Sequence, residues 1–236
     1  MAWHAKPAGA YAIGSYEWLE NWNEIISMLS WTDEAKAGMG GNLQAESGMN
    51  PWRWQSDSVS LSGGYGLPQF TPASGYINLP GTTPNMSTSQ QTSGATPEDG
   101  ARQIQVIDTN ELPKWVSSCW RSYWSKITYA GLWTYAQEIL NTWGNGSSIS
   151  MAQFKACTDV DACCFIWLAC YEGPRYPNYE SRKRICEDIY VNYMGGVIPP
   201  TPPGPEPPTP DPPSGQHLPY WLMKKIIENN RRYCIM

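Results

Sequence analysis

Histidine is almost absent from this sequence of 236 residues, which contains only His4 and His217. A cysteine–histidine amidase or endopeptidase needs an imidazole beside its thiolate, and a zinc hydrolase needs histidine or cysteine ligands at set spacing. One histidine near each end of the chain supplies neither arrangement. The sequence therefore argues against both classes of enzyme, and we expect neither a metal ion nor another cofactor.

Long hydrophobic runs are lacking as well. No stretch of about 18 uncharged apolar residues occurs, so we expect no membrane-spanning helix. The segment MAWHAKPAGAY has no basic region followed by an apolar run, so we also expect no signal peptide. The seven cysteines form no C-x-x-C pair, and the cluster Cys157, Cys163, Cys164 and Cys170 is predicted to be buried on helices without disulfide or zinc bonding.

Charge is sparse, at 16% of the residues, and the net charge is −5. This acidic balance disfavours a nucleic-acid partner. Hydrophobic residues make up 41% of the chain, which is enough for a folded core. The 13 Trp and 14 Tyr against 3 Phe are notable, because rings with a polar edge suit both a core and contacts with sugars. Composition thus favours a carbohydrate ligand without deciding the matter.

Proline divides the chain. Residues 198–213 read IPPTPPGPEPPTPDPP, a composition that holds the backbone in an extended polyproline II form and prevents packing. We therefore predict a folded domain at residues 1–197, a proline-rich linker at residues 198–216 and a short tail at residues 217–236.

The predicted tail, HLPYWLMKKIIENNRRYCIM, combines an apolar stripe with four basic residues and one acidic residue. It could dock on another protein, anchor at a membrane surface or the cell wall, or fold back on the domain. We favour docking over membrane contact, because an isolated helix of this length is marginal without a partner.

The periodicity of the predicted domain is helical, with Ser15 and Thr32 as suitable N-caps and Gly48 as a suitable C-terminal stop. Three glycines interrupt the second helix at a cost of about 1 kcal/mol each, which predicts the close approach of another backbone or a ligand. Residues 50–96 predict loops with a short hairpin. The expected fold is mainly α with a loop-rich insertion. Apolar spacing predicts helices at residues 17–29, 32–46, 97–112, 132–142, 150–157, 162–171 and 180–193.

Glu46 lies at the predicted end of the second helix, within GGNLQAESGMNPWRW. The partial negative charge of a helix C-terminus and apolar neighbours would both disfavour an ionised carboxylate there. A glutamic acid that keeps its proton near neutral pH is what a general acid for glycoside cleavage requires. A solvated glutamate at a helix end remains the alternative at this point.

A glycine-rich turn follows at residues 63–72, GGYGLPQFTP. It lacks the strand–glycine–helix context of a phosphate loop, but its glycines would let the chain approach a ligand closely. The amide of Gln69 could both donate to and accept from a sugar.

These two segments, ESG followed by NP and then GYGLPQFTP, together resemble the phage tail lysozyme family, which is related to goose-type lysozymes and lytic transglycosylases. The resemblance covers residues 3–193 and implies a lysozyme-like fold. Gly173 departs from the pattern, because related sequences usually have arginine there, and Pro68 is a second departure. Further segments agree in order: WHAKPAGAY, TDEAKAGMGGNLQAESG, ARQIQVIDTNELPKW and FIWLACYEGPRYPNYESRKRICEDIY.

The resemblance implies that Glu46 protonates the glycosidic oxygen between N-acetylmuramic acid and N-acetylglucosamine. Tyr65, Gly66 and Gln69 would line the floor of the sugar cleft, with Gln55 as a further contact. Tyr171, Glu172 and Arg175, from the closing turn, would lie at the edge of the cleft or serve to hold the fold together.

The sequence leaves the identity of the second catalytic group undecided. Asp57 is the only acid in residues 47–96 and is our candidate for positioning water, although it could equally be a loop aspartate that bonds its own turn. Without a second acid, the muramyl acetamide or 6-hydroxyl would complete the reaction, and the 6-hydroxyl route would make the protein a lytic transglycosylase. A non-catalytic tail component that binds the wall is a further alternative.

The resemblance also implies a location and partners. The chain would belong to a phage virion, in the tail or tail tip, and would act at the host cell wall. A virion would deliver a wall-degrading enzyme that has no export signal. The expected partners are peptidoglycan glycan strands and, through residues 217–236, other tail proteins.

Overall fold

The computed structural model describes residues 3–86, 94–95, 97–117, 132–174 and 178–197. The predicted linker and tail, residues 198–236, lie outside this part of the chain, as does Arg175. In chain order the elements are β1 (His4–Ala5), α1 (Tyr16–Met28), α2 (Asp33–Ser47), a 3₁₀ turn (Gln55–Asp57), α3 (Ala73–Ile77), β2 (Gly94–Ala95), α4 (Pro97–Thr109), α5 (Trp133–Trp143), α6 (Met151–Lys155), α7 (Val160–Trp167), a π-helical turn (Leu168–Glu172) and α8 (Tyr179–Met194).

The first two helices begin at the predicted caps. The side chain of Ser15 accepts a hydrogen bond from the Trp18 amide, and that of Thr32 accepts one from the Ala35 amide. Each cap satisfies one of the donors that a helix leaves unpaired at its start. Helix α2 ends at Gly48, whose φ of 62° is the left-handed conformation expected of a glycine stop.

Helix α2 is the central helix and packs most extensively against α7 and α8. Its glycines explain how the helices come so close. A Cβ at Gly38 would lie 2.6 Å from the Cys163 carbonyl carbon on α7, and one at Gly41 would lie 2.8 Å from the Cys186 nitrogen on α8. The predicted close approach is therefore confirmed, and at these two positions the approaching group is another helix backbone.

The loop-rich insertion forms a tight turn and a short helix, α3. The sequence predicted the turn but not the helix. Tyr65 and Phe70 exchange two backbone hydrogen bonds across the turn, which is the short hairpin expected there. Beneath it the buried Asp99 accepts hydrogen bonds from the hydroxyls of Tyr65 and Tyr76, each at 2.7 Å, and from Gln103 at 2.9 Å. Burial raises the pKa of the Asp99 carboxyl, and these donors limit the rise. Asp99 thereby ties the insertion to α4.

The N-terminal segment folds over the C-terminal end of α2. The Tyr11 amide donates to the Gly48 carbonyl at 2.9 Å, and the Asn50 side chain donates to the carbonyls of Lys6 and Gly9. Strand β1 in the same segment pairs antiparallel with β2, with His4 opposite Ala95. These bonds hold the N-terminal segment against one side of the end of the central helix.

After α7 the chain widens into the π-helical turn, where the Gly173 amide bonds the Leu168 carbonyl at 2.8 Å. The sequence predicted an ordinary helix as far as Tyr171. A π turn rotates the residues that follow it relative to an α-helix and is often found at functional sites. Here it carries Tyr171 and Glu172.

The expected mainly α fold is confirmed. Cys157, Cys163, Cys164 and Cys170 are buried free thiols, as predicted. Among the residues that the structure describes, none of the helices has the length and apolar character needed to cross a membrane.

Candidate active site

A cleft of about 670 Å³ opens between the end of α2, the insertion and the π turn. Its walls are mainly polar and carry groups of both charges, which suits a sugar ligand better than an apolar one. The residues that line it are Glu46, Arg53, Gln55, Ser56, Gln69, Thr71, Lys114, Tyr171, Glu172 and Pro174.

Glu46 occupies the last turn of α2, as predicted, and its side chain is 22% exposed. The expectation of apolar neighbours is wrong. Its Oε1 accepts a hydrogen bond from Nη2 of the buried Arg182 at 2.5 Å, and the other arm of that guanidinium donates to the Asn42 Oδ1 at 3.1 Å. Asn42 is itself held by the carbonyls of Gly38 and Cys164. The side chain of Glu46 is therefore fixed in direction by groups on three helices.

Glu172 is a second carboxylate that lines the same cleft, and it lies at the end of the π-helical turn. Its Oε1 accepts a hydrogen bond from the Trp167 indole at 3.0 Å. Burial raises the pKa of Glu172 to about 8, and the nearby charge of Glu46 adds to the rise, whereas Arg182 and Lys114 oppose it. This raised pKa favours the protonated form of Glu172 near neutral pH, at a position where the sequence predicted either an edge contact or a residue that holds the fold together.

Lys114 and Tyr171 form the wall next to Glu172. The Lys114 amine lies 5.9 Å from the centre of the Tyr171 ring and 5.6 Å from that of Phe70. Burial lowers the pKa of this amine, and the charges of Glu172 and Glu46 counteract the effect. The Tyr171 ring stacks on Trp167 at 4.2 Å, and its buried hydroxyl has no hydrogen-bond partner in the described part of the chain.

Gln55 and Gln69 reach the cleft from the insertion. The Gln55 side chain accepts from the Gly64 amide at 3.0 Å, and the Gln69 amide nitrogen donates to the carbonyls of Arg53 and Gly66. Both hydrogens of the Gln69 amide are therefore already bonded to the backbone. The carbonyl oxygen of this side chain is the part that suits a sugar hydroxyl.

Tyr65 and Gly66 were expected on the floor of the cleft, but the structure places both in the interior. Tyr65 is fully buried, and its hydroxyl serves Asp99 and the Asn85 amide. Gly66 has a φ of 79°, and a Cβ there would lie 2.4 Å from the Gln103 side chain. This glycine is required by a protein contact, so both residues support the cleft from below without lining it.

Asp57 was our candidate for the second catalytic acid, and the structure gives it a different position. It is absent from the lining of the cleft. Its Oδ1 accepts from the Gly9 amide at 2.9 Å and lies 3.7 Å from the Arg53 Nε. These bonds tie the 3₁₀ turn to the N-terminal segment, in line with the interpretation of Asp57 as a loop aspartate.

The groups brought together at the cleft come from distant parts of the chain, and the pairing of Glu46 with Arg182 was missed. The sequence motif around Arg182 was noted only as part of the closing pattern, and nothing in its spacing indicates a partner 136 residues away. Within the ranges that the structure describes, no group of three or more histidine, cysteine, aspartate or glutamate residues could hold a metal ion.

Comparison with known proteins bears directly on this site. The family described as phage tail lysozyme matches residues 18–193, a range that includes every residue of the cleft lining. Morphogenesis protein 1 of Bacillus phage B103 is 51% identical over 169 residues, which are 70% of this chain and 36% of that relative. The chain thus spans little more than a third of the relative's length. The family match covers well over half of the sequence, and the chain belongs to the phage tail lysozyme family.

Proposed function

We propose that this chain is a phage tail peptidoglycan hydrolase that cleaves the β-1,4 bond between N-acetylmuramic acid and N-acetylglucosamine, and so opens the host wall locally during genome delivery. The observation that carries the proposal is the position of Glu46. In a chain of the phage tail lysozyme family, this carboxyl ends the central helix, lines the polar cleft and is fixed in direction by Arg182.

In the proposed reaction, Glu46 donates a proton to the glycosidic oxygen as the bond to the sugar carbon breaks. The sugar passes through an oxocarbenium-like transition state, water adds its hydroxyl to that carbon, and the remaining proton of the water restores Glu46. Gln55 and Gln69 offer polar atoms along the cleft for sugar hydroxyl and acetamide groups, and Tyr171 contributes to its wall. Arg175, which lies outside the described residues, stays a predicted contact on resemblance alone.

The clearing of a peptidoglycan suspension tests the proposal. Glu46→Gln keeps an oxygen for Arg182 but cannot act as an acid, so we expect it to lose about a hundredfold or more of the rate. Glu138→Gln is a matched control, because Glu138 is exposed on α5 and outside the cleft. Equal clearing by wild type and Glu46→Gln would remove Glu46 from the mechanism.

The same digest separates the alternatives. Reducing muramic ends in the mass spectrum of the products indicate hydrolysis, whereas anhydro-muropeptides indicate a lytic transglycosylase. Sedimentation of the protein with the wall, without any soluble product, would indicate a binding component.

The docking of residues 217–236 on other tail proteins is also part of the proposal, on the basis of sequence alone. A chain ending at residue 197 should then clear a purified suspension normally but fail to associate with tail particles. Association of the shortened chain would place the contact in the domain.

A further inference from the structure

The amine of Lys114 lies where two walls of the cleft meet. Its Nζ is 5.6 Å from the centre of the Phe70 ring, which belongs to the insertion, and 5.9 Å from that of Tyr171, which belongs to the π turn. Both distances are within the range of a cation–π contact. The side chain is half-buried and lines the cleft. A positive charge is therefore held between two aromatic rings at the wall of the proposed substrate site.

This ammonium group makes no hydrogen bond and no ion pair with any residue that the structure describes. The charges of Glu172 and Glu46 act on it, but neither carboxylate approaches closely enough to pair with it. An ammonium has three N–H donors, and the ring faces are weak substitutes for oxygen acceptors. A partly buried charge is costly unless it is paired, so an acceptor supplied by a bound molecule would be favoured at this position.

The other charged groups that line the cleft are already bonded to the protein. Arg53 lies 3.7 Å from the Asp57 carboxylate, and Glu46 accepts a hydrogen bond from Arg182. Glu172 accepts one from an indole. Among the described lining residues, Lys114 is thus the charged group without a bonded partner, and its positive charge calls for an anion.

We propose that Lys114 binds a carboxylate on the lactyl branch of N-acetylmuramic acid, and that this contact selects muramic acid glycans over uncharged ones such as chitin. The inference rests on the proposed function, because it takes a wall glycan as the substrate. The sugar rings are uncharged, so the anionic groups of a strand are those of this branch: the lactyl carboxylate of a bare sugar, or the carboxylates of an attached peptide. Both are ionised near neutral pH and would accept charge-assisted hydrogen bonds.

Binding to the Glu46→Gln chain, which should not cut its ligand, provides the first test. The probes are a bare tetrasaccharide of alternating N-acetylglucosamine and N-acetylmuramic acid, the same tetrasaccharide with its peptides, and chitotetraose, which lacks the lactyl branch. Calorimetry should show at least one muramyl probe bound about tenfold more tightly than chitotetraose. Adding Lys114→Met should remove this preference and leave the Kd of chitotetraose unchanged. The muramyl probe that loses affinity identifies which carboxylate is bound.

Two control variants separate the contact from a general effect of charge or of folding. Lys114→Arg keeps a positive charge at the wall and should retain most of the preference. Lys36→Met removes one positive charge from the start of α2, outside the cleft lining, and should keep the full preference. Thermal melts should give Lys114→Met a Tm close to that of the wild type, because no ion pair with a described residue is lost.

Three outcomes would overturn the proposal. The first is that neither muramyl probe binds more tightly than chitotetraose. The second is that the preference survives in Lys114→Met. The third is that Lys114→Met weakens the binding of all three probes equally, which would mean that Lys114 only supports the wall of the cleft.

The substrate can also be altered in place of the protein. Wall strands whose carboxylates have been converted to amides should have a KM about tenfold higher than untreated strands with the wild type, and an equal KM with Lys114→Met. If the binding preference depends on Lys114 but no clearing occurs, the proposed function fails and the carboxylate contact stands. If clearing occurs and the preference does not depend on Lys114, the contact fails and the proposed function stands.

Discussion

Replacing Gly41 with alanine tests whether the contact between α2 and α8 sets the stability of the domain. The new Cβ would lie 2.3 Å from the Cys186 Sγ and 2.8 Å from the Cys186 nitrogen. Carbon atoms pack at about 3.5 Å or more, so the two helices must separate by roughly half an ångström or more. Overpacking costs about 1–3 kcal/mol, here about 2–3 kcal/mol because backbone atoms of α8 cannot turn aside, and the helix propensity of alanine returns about 1 kcal/mol.

We expect a net loss of about 1–2 kcal/mol in the free energy of unfolding, measured by urea denaturation, and a Tm lower by roughly 2–8 °C. Gly75→Ala is the matched control, because Gly75 lies within α3 and its Cβ would be 3.9 Å from the nearest side chain, Leu112. That variant should gain up to about 1 kcal/mol. If Gly41→Ala is as stable as the wild type, or Gly75→Ala loses as much as Gly41→Ala, the reasoning from helix contact is wrong.

Three further predictions concern individual polar groups. For Glu172, the pKa is raised to about 8 in the folded protein against 4.5 for an ordinary glutamate, so its contribution to stability is full below about pH 4.5 and is lost as the pH rises through about 8. The free energy of unfolding of Glu172→Gln should lack this fall. Between pH 5 and pH 9 the wild type should therefore lose about 2–5 kcal/mol more than the variant in denaturant melts. An equal loss in both proteins would contradict the prediction. Tyr65→Phe should lose about 1–3 kcal/mol of stability, because Asp99 loses a hydrogen-bond donor. The KM for peptidoglycan should stay the same. A raised KM with unchanged stability would mean that Tyr65 contacts the substrate after all. Asp57→Asn should keep most of the clearing activity, and a hundredfold loss in a folded protein would reinstate it as a catalytic acid.

Much of the local structure could be predicted from the sequence. Ser15, Thr32 and Gly48 marked helix ends because capping is decided by side chains within three or four residues of the bond they make. Residues within the same short distance along the chain also placed Glu46 in the last turn of α2. The glycines of that helix predicted a close neighbour, since nothing local explains their cost.

The sequence by itself therefore determined most of the helices, the caps of the first two, the family and the leading catalytic candidate. Only the tertiary structure decided which groups surround that candidate. The packing of α2 against α7 and α8 brings Arg182 onto Glu46 and places Glu172 in the same cleft, and the spacing of residues along a chain contains no record of such arrangements. For the same reason the side chains of Asp57 and Tyr65 bond other groups of the protein and do not line the cleft, although both residues lie near the motifs in sequence. The direction of a side chain depends on the partners that folding brings to it.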